Sequence, residues 1–234
     1  MDERYLYLAL NVGSISFPFL FSFYPKANFS KEWKHLFPAL FITAFVFIVW
    51  DELFTQLGVW GFNPRYLTGI YLGSLPLEEV MFFVFIPYAC LFIYFAVGYL
   101  SKKDHFISVH RHITQVLIVF LVITGVFFFD RWYTSVTFFS LALFLSLHRW
   151  YWRSTYMGRF YFSYLFVLIP FFIVNGILTG SFIDQEVVWY NNHENLSIRI
   201  GTIPADDLFY NMLMLLMVTS IYEGLKNRKK KSIN

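Results

Sequence analysis

Polar and charged positions are sparse along this chain and cluster between long, mostly apolar stretches. Seven stretches reach or approach the length of about 20 residues that a bilayer requires. They lie near Tyr5–Tyr24, His35–Phe54, Glu78–Tyr99, Ile113–Phe129, Trp132–Leu147, Phe160–Leu178 and Asp206–Leu225. The alternation of a barrel strand is absent, and a spanning segment must satisfy its own backbone polar groups, so each is predicted to be a helix. The expected fold class is an all-α integral membrane protein with about seven transmembrane helices in a single membrane domain, residues 1–234. The first stretch follows Asp2, Glu3 and Arg4 with no basic leader or small-residue cleavage site, so it reads as a retained helix.

Composition agrees with this pattern. Of 234 residues, 58% are hydrophobic, 23% aromatic and only 14% charged. A soluble domain carries about a quarter charged residues. Disorder, fibres and an ordinary soluble globule are excluded. The single cysteine, Cys90, excludes a disulfide framework and a thiolate zinc cluster. When the loops are assigned to alternating sides, 14 of the 18 basic residues collect on the side of the C-terminus. That bias predicts a cytoplasmic C-terminus, with 226–234 as a basic cytoplasmic tail that anchors the topology and adds some attraction for anionic lipid. The net charge of +3 therefore reflects topology rather than affinity for nucleic acid.

Two segments repeat. Val59-Trp60, Asn63, Leu67-Thr68, Gly73 and Pro76-Leu-Glu-Glu79 match Val188-Trp189, Asn192, Leu196-Ser197, Gly201 and Pro204-Ala-Asp-Asp207, with one residue deleted in the second copy. Each copy follows an apolar helix containing Phe-Ile-Val (Phe47–Val49 and Phe172–Val174) and launches another whose first turn carries two acids. Helices two and three (about 35–99) thus correspond to helices six and seven (about 160–225). An even number of crossings between them makes the repeats parallel. Both acidic pairs then lie at one depth, toward the non-cytoplasmic side. The linkers Thr55–Leu77 and Thr179–Ala205 are long enough to be functional and aromatic enough to dip toward the bilayer.

Asp51, Glu52, Glu78, Glu79, Asp206 and Asp207 all sit at predicted helix ends on that side. A carboxylate in a first turn is stabilised by the helix dipole by about 0.3–1 kcal/mol, so capping explains either pair taken alone. It does not explain a Trp, an Asn and a Gly at matched offsets before both. Ionisable residues inside a membrane are costly and mark function. Two carboxyls in a dry pocket resist joint ionisation, so one keeps a proton and the cluster offers an acid and a base together. Adjacent helical residues point about 100° apart, so one member of each pair faces the pocket. Asn175, Thr179 and Asn211 flank the second pair, where bonding to neighbouring helices is the competing role. Most of the 31 Phe and 16 Tyr cover lipid-facing and packing surface. A minority can line a cavity and stabilise a passing cation by about 0.5–2 kcal/mol each.

Several chemistries drop out. Every lysine falls in a loop or tail, so a retinal Schiff base has no candidate, and neither a dinucleotide fingerprint nor a P-loop is present. The six histidines form no repeated boxes for a di-iron hydroxylase, and His110-Arg-His112 reads as a polar loop rather than a metal site. No second Asp-rich motif exists to hold magnesium diphosphate. What is left is cofactor-free, metal-free acid–base work, or no chemistry at all.

Val59-Trp-Gly-Phe-Asn-Pro-Arg65 through Leu75-Pro-Leu-Glu-Glu79, with Ile203-Pro-Ala-Asp-Asp-Leu-Phe-Tyr210, resembles the heterodimer-type, non-flavin lycopene cyclases. With two repeats in one chain it is similar to their single-chain fused form, which is related to the cyclase domain of fungal bifunctional lycopene cyclase/phytoene synthases. The resemblance implies redox-neutral conversion of linear ψ-ends of lycopene to β-ionone rings, giving γ-carotene or β-carotene according to whether one or both ends close. A carboxylic acid protonates the terminal double bond, the neighbouring double bond closes a ring on the cation, and a base removes a proton. By position Glu78, Glu79, Asp206 and Asp207 are its catalytic candidates. Asp206 departs from the usual Glu, which favours Glu78 or Glu79 as the acid and Asp206 or Asp207 as the base or charge stabiliser.

Trp60, Asn63, Arg65, Asn175, Trp189 and Asn211 are the residues expected to shape the substrate pocket, with interfacial anchoring of the loops as the competing role. The implied partners are lycopene or a related linear carotenoid and the lipid bilayer. Association with itself or with other carotenoid enzymes is compatible with this. Rival readings are a carotenoid hydratase, a cyclase of another isoprenoid, and a non-enzymatic carotenoid-binding or transport protein.

Overall fold

A run of apolar side chains in hydrocarbon leaves the backbone one open-ended solution, the helix, and the described residues take it seven times. The computed structural model describes residues 2–231, with side chains through Asn227; Met1, residues 232–234 and the side chains of the basic tail from Arg228 lie outside the described residues. The helices are α1 Leu6–Phe21, α2 Trp33–Gln56, α3 Leu77–Leu100, α4 His110–Phe127, α5 Trp132–Ser146, α6 Met157–Leu178 and α7 Asp206–Lys231. Each coincides with one predicted stretch, offset by a few residues at its ends.

Helices α2, α3, α4, α6 and α7 are each long and apolar enough to cross a bilayer. Helix α1, of 16 residues, and α5, of 15, span only about 24 Å and 22 Å as regular helix. Each is lengthened by an irregular turn: a 3₁₀ turn at Glu3–Tyr5 before α1, and a π turn at Leu147–Tyr151 after α5.

The repeat is visible in the packing. Helix α1 lies on α3 as α5 lies on α7, and α2 packs against α7 as α6 packs against α3. Helix α4 joins the halves and packs chiefly on α5. The long linkers meet each other: β1 (Trp60–Phe62) pairs antiparallel with β4 (Val188–Tyr190), with Trp60 opposite Tyr190 and Gly61 opposite Trp189. If Trp60 is equated with Trp189, as the repeat requires, each of these two pairs becomes the other. No room exists for a side chain at Gly61, because the Trp189 ring occupies that space.

Each linker then closes with a small hairpin, β2 (Tyr71–Leu72) with β3 (Leu75–Pro76) and β5 (Arg199–Ile200) with β6 (Ile203–Pro204). The repeated glycines turn them: Gly73 and Gly201 have φ of 68° and 65°, in the left-handed region that glycine adopts without a Cβ penalty. The linkers thus form a ribbon that roofs the ends of the helices.

Candidate active site

Three acidic pairs stand at the helix ends beneath this roof, and each splits the same way. Glu78 and Glu79 open α3, Asp206 and Asp207 open α7, and Asp51 and Glu52 lie in the last turns of α2. The outer member of each pair holds a loop. Glu78 accepts the Thr68 N–H at 2.7 Å and Asp206 the Leu196 N–H at 3.1 Å, in both cases an amide ten residues earlier. Thr134 Oγ1 adds a second bond to Asp206, at 2.5 Å. Glu52 takes the Ser74 N–H at 2.9 Å and so pins the first hairpin.

The inner members, Asp51, Glu79 and Asp207, are buried and face one cavity. They lie within one another's electrostatic reach, Glu79 acting on Asp51 and Asp207 on Glu79. Their surroundings differ sharply. Asp207 receives three donated bonds: from Tyr133 Oη at 2.6 Å, Asn175 Nδ2 at 2.7 Å and Tyr190 Oη at 3.1 Å. Glu79 receives one, from the Tyr7 hydroxyl. Asp51 receives the Trp60 indole N–H at 2.5 Å on one oxygen, while its other oxygen is buried with no partner. Burial first, and the charge of Asp207 second, push the Tyr190 hydroxyl well above its ordinary range, so it remains a neutral donor.

Three donors are the complement of an ionised carboxylate. One donor, or one with an oxygen left bare, leaves room for a carboxyl that carries its own proton.

Aromatic rings enclose the carboxyls. Trp60 meets Tyr133 edge-on at 5.0 Å between ring centroids, Tyr133 stacks on Tyr190 at 6.0 Å, and Tyr210 meets Trp50 at 5.3 Å. The Tyr210 hydroxyl and Asn211 Nδ2 are buried without partners beside the same space. From this polar end a cavity of about 560 Å³ runs between α1, α3 and α6. Its walls there are apolar: Leu10, Gly13 and Phe17 from α1, Phe82, Phe83 and Ile86 from α3, and Phe171 and Val174 from α6. Along α3 the lining extends from Glu79 to Ile93, which at helical rise is about 21 Å. The site is a long greasy slot with three acids at one end.

Of the expected site residues, Glu79, Asp207, Trp60, Asn175 and Asn211 line the cavity, while Glu78 and Asp206 stand behind it in the loop bonds. Asn63, Arg65 and Trp189 lie away from the lining. Asn63 caps a 3₁₀ turn through the Arg65 N–H at 3.1 Å and reaches Gln185 at 3.1 Å across the linkers. Arg65 ties Glu3 at 2.6 Å to Asp184 at 2.9 Å on the exposed rim, and these bonds raise its guanidinium pKa further. Trp189 is 41% exposed and covers Gly61.

Asp51 and the tyrosines 7, 133, 190 and 210 are additions to the sequence-derived set. Asp51 is visible in sequence as an intramembrane acid but has no counterpart in the repeat. Tyr210 closes the second motif without being marked as a site residue, and Tyr7, Tyr133 and Tyr190 are indistinguishable there from the rest of the aromatic surplus.

A family model described as Lycopene cyclase matches residues 4–97 and 130–225. The two matched segments contain α1–α3 and α5–α7 and leave α4 between them, in keeping with an internal repeat, and each takes in one helix ahead of the repeated motif. No curated protein and no solved structure matches the chain.

Proposed function

The chain belongs to the lycopene cyclase family, and on that premise we propose that it closes β-ionone rings on the linear ends of lycopene by proton transfer alone. The observation that carries this reading is the slot itself: an apolar channel between membrane helices, closed at one end by Asp51, Glu79 and Asp207 inside a box of aromatic rings. A polyene end entering between α1 and α6 brings its terminal double bond to the carboxyls. Glu79, with Asp51 beside it, holds the proton and delivers it to the terminal double bond, leaving a tertiary carbocation. The neighbouring double bond attacks that centre and closes a six-membered ring. The faces of Trp60, Tyr133 and Tyr210 stabilise the positive charge, in a space where it has no water to meet.

Asp207, kept anionic by its three donors, takes the proton that leaves the ring carbon. Substrate and product have the same formula, no electrons are exchanged, and the enzyme resets when the proton returns from Asp207 to Glu79. The chemistry calls for no cofactor. Glu78 and Asp206 act as positioning residues by fixing the first turns of α3 and α7.

Two three-helix units in one chain are the arrangement of the fused, heterodimer-type form and of the fungal bifunctional proteins' cyclase domain. We place both units in one membrane domain, with the basic C-terminal end in the cytoplasm and the carboxyls toward the opposite face, as the lysine and arginine bias favours. Expression in a lycopene-accumulating bacterial host, with pigments separated by chromatography and weighed, tests the proposal. Cyclic products isomeric with lycopene are expected. A product heavier by one water would make the protein a hydratase. Untouched lycopene beside well-expressed protein would refute the assignment for this substrate and favour another isoprenoid or a binding role.

A further inference from the structure

The opposite end of the molecule holds a second cavity that the cyclase reading does not use. It measures about 610 Å³ and sits where α4 begins, the π turn ends α5, and α6 begins. Arg111, Arg149 and Arg153 line it together with His110, His148 and Ser154. None of the three arginines forms an ion pair among the described residues. Arg149 Nε is buried and has no partner. Asp104, the acid whose charge reaches His110, is turned aside: it bonds the Phe106 N–H at 3.0 Å and packs against Gly158. His148 is fully engaged, with Ser154 Oγ at 2.8 Å on one ring nitrogen and Ser220 Oγ at 2.9 Å on the other.

Two unusual backbone features occur at the arginines. Residues Leu147–Tyr151 form a π turn, a local widening that is frequent at functional sites. Arg153 is held at φ 48°, in the left-handed region that a non-glycine residue rarely occupies. A topology signal needs only positive charge on this face, and exposed lysines such as Lys102 and Lys103 supply that without a concave site. Three arginines line a cavity with no acid among its lining residues, so a counter-charge there comes from outside the chain. The planar fork of arginine is matched to phosphate oxygens.

We propose that this cavity binds a phosphate group, on an anionic phospholipid headgroup at the bilayer surface or on a free phosphate. Basic pockets between membrane helices are a known setting for such headgroups. The site is separate from the carboxyl cluster and stands whether or not the cyclase assignment holds.

The test is native mass spectrometry and thermal unfolding of the full chain in neutral detergent. One arm adds phosphatidylglycerol or phosphatidylcholine, and another adds inorganic phosphate or chloride at equal ionic strength. The expectation is preferential retention of phosphatidylglycerol with a raised unfolding midpoint, lost in the triple variant Arg111→Gln, Arg149→Gln, Arg153→Gln. It is kept in the charge-matched control Lys31→Gln, Lys102→Gln, Lys103→Gln. A midpoint raised by phosphate but not by the lipid assigns the site to a free phosphate. Equal loss in both variants overturns the proposal in favour of diffuse surface attraction. Should the triple variant fail to fold, the wild-type arms still decide: no preference for phosphatidylglycerol over phosphatidylcholine and none for phosphate over chloride overturns it.

Discussion

Glu78→Gln and Glu79→Gln are the same chemical change at adjacent positions, and they should have opposite consequences. Glu78 accepts the Thr68 N–H at 2.7 Å and stands in the first turn of α3. A hydrogen bond to a charged group contributes about 1.5–3 kcal/mol and a neutral one about 0.5–1.5. An amide can still accept from Thr68, so the loss is the difference, about 1–1.5 kcal/mol, plus about 0.3–1 kcal/mol of dipole interaction. At about 2–4 °C per kcal/mol for a chain of this size, the unfolding midpoint should fall by roughly 3–10 °C. Ring closure per folded molecule should remain.

Glu79 donates no support to any loop; it accepts only the Tyr7 hydroxyl, which an amide oxygen can also receive. A neutral amide replaces a carboxyl that already carries its proton and keeps the one accepted bond, so the midpoint is expected to stay unchanged. Cyclisation should fall by at least about 100-fold, the lower end of what a positioned general acid supplies and about 2.7 kcal/mol of barrier. Pigment conversion normalised to folded protein, beside unfolding in detergent, reads both quantities. A stable, inactive Glu78→Gln together with an active Glu79→Gln would refute the assignment of inner and outer carboxyls.

Tyr133→Phe removes one of three donors to Asp207 and should slow ring closure about tenfold while leaving product identity intact; an unchanged rate would remove Asp207 from the proton path. Gly13 lines the slot with nothing within 4 Å of an added Cβ, so Gly13→Ala should be tolerated. Gly13→Phe should block conversion without loss of folded protein, and full activity there would show that substrate does not lie along α1. Arg65→Gln breaks exposed ion pairs to Glu3 and Asp184, which are worth little in water. It should leave cyclisation intact, and loss of activity with folding preserved would return Arg65 to the substrate site.

The seven helices were legible because each is a single long apolar run, a signal independent of tertiary context. The repeat was legible from its loop, since Gly73 and Gly201 turn equivalent hairpins and the acidic pairs follow at fixed distance. The likeness of α1 to α5 was not, for they carry no matching motif and correspond only through what they touch, Tyr7 to Glu79 and Tyr133 to Asp207. The acidic pairs were legible as pairs, but which member turns inward depends on helix phase relative to neighbours, which no spacing within one helix contains. Asn63, Arg65 and Trp189 share the motif with Trp60 for a different reason. They fold the linkers, and only Trp60 reaches the cavity.

A duplicated fold offers two carboxyls at the same depth, yet ring closure requires one that gives a proton and another that takes it. Strict symmetry would make Glu79 and Asp207 equivalent and the exchange aimless. The symmetry is broken by what surrounds them. The β1–β4 ribbon turns one tryptophan, Trp60, inward to Asp51 and leaves its counterpart Trp189 outside over Gly61. The position equivalent to Gly61 is Tyr190, whose hydroxyl adds to Asp207 a donor that Glu79 lacks. Helix α6 contributes Asn175 to Asp207, whereas α2 brings the acid Asp51 into the field of Glu79. One half of the site is therefore rich in donors, the other in acids. In the proposed mechanism, a proton placed on the acid-rich side and a vacancy held on the donor-rich side are what the carbocation cyclisation consumes and restores, with the cation formed between them.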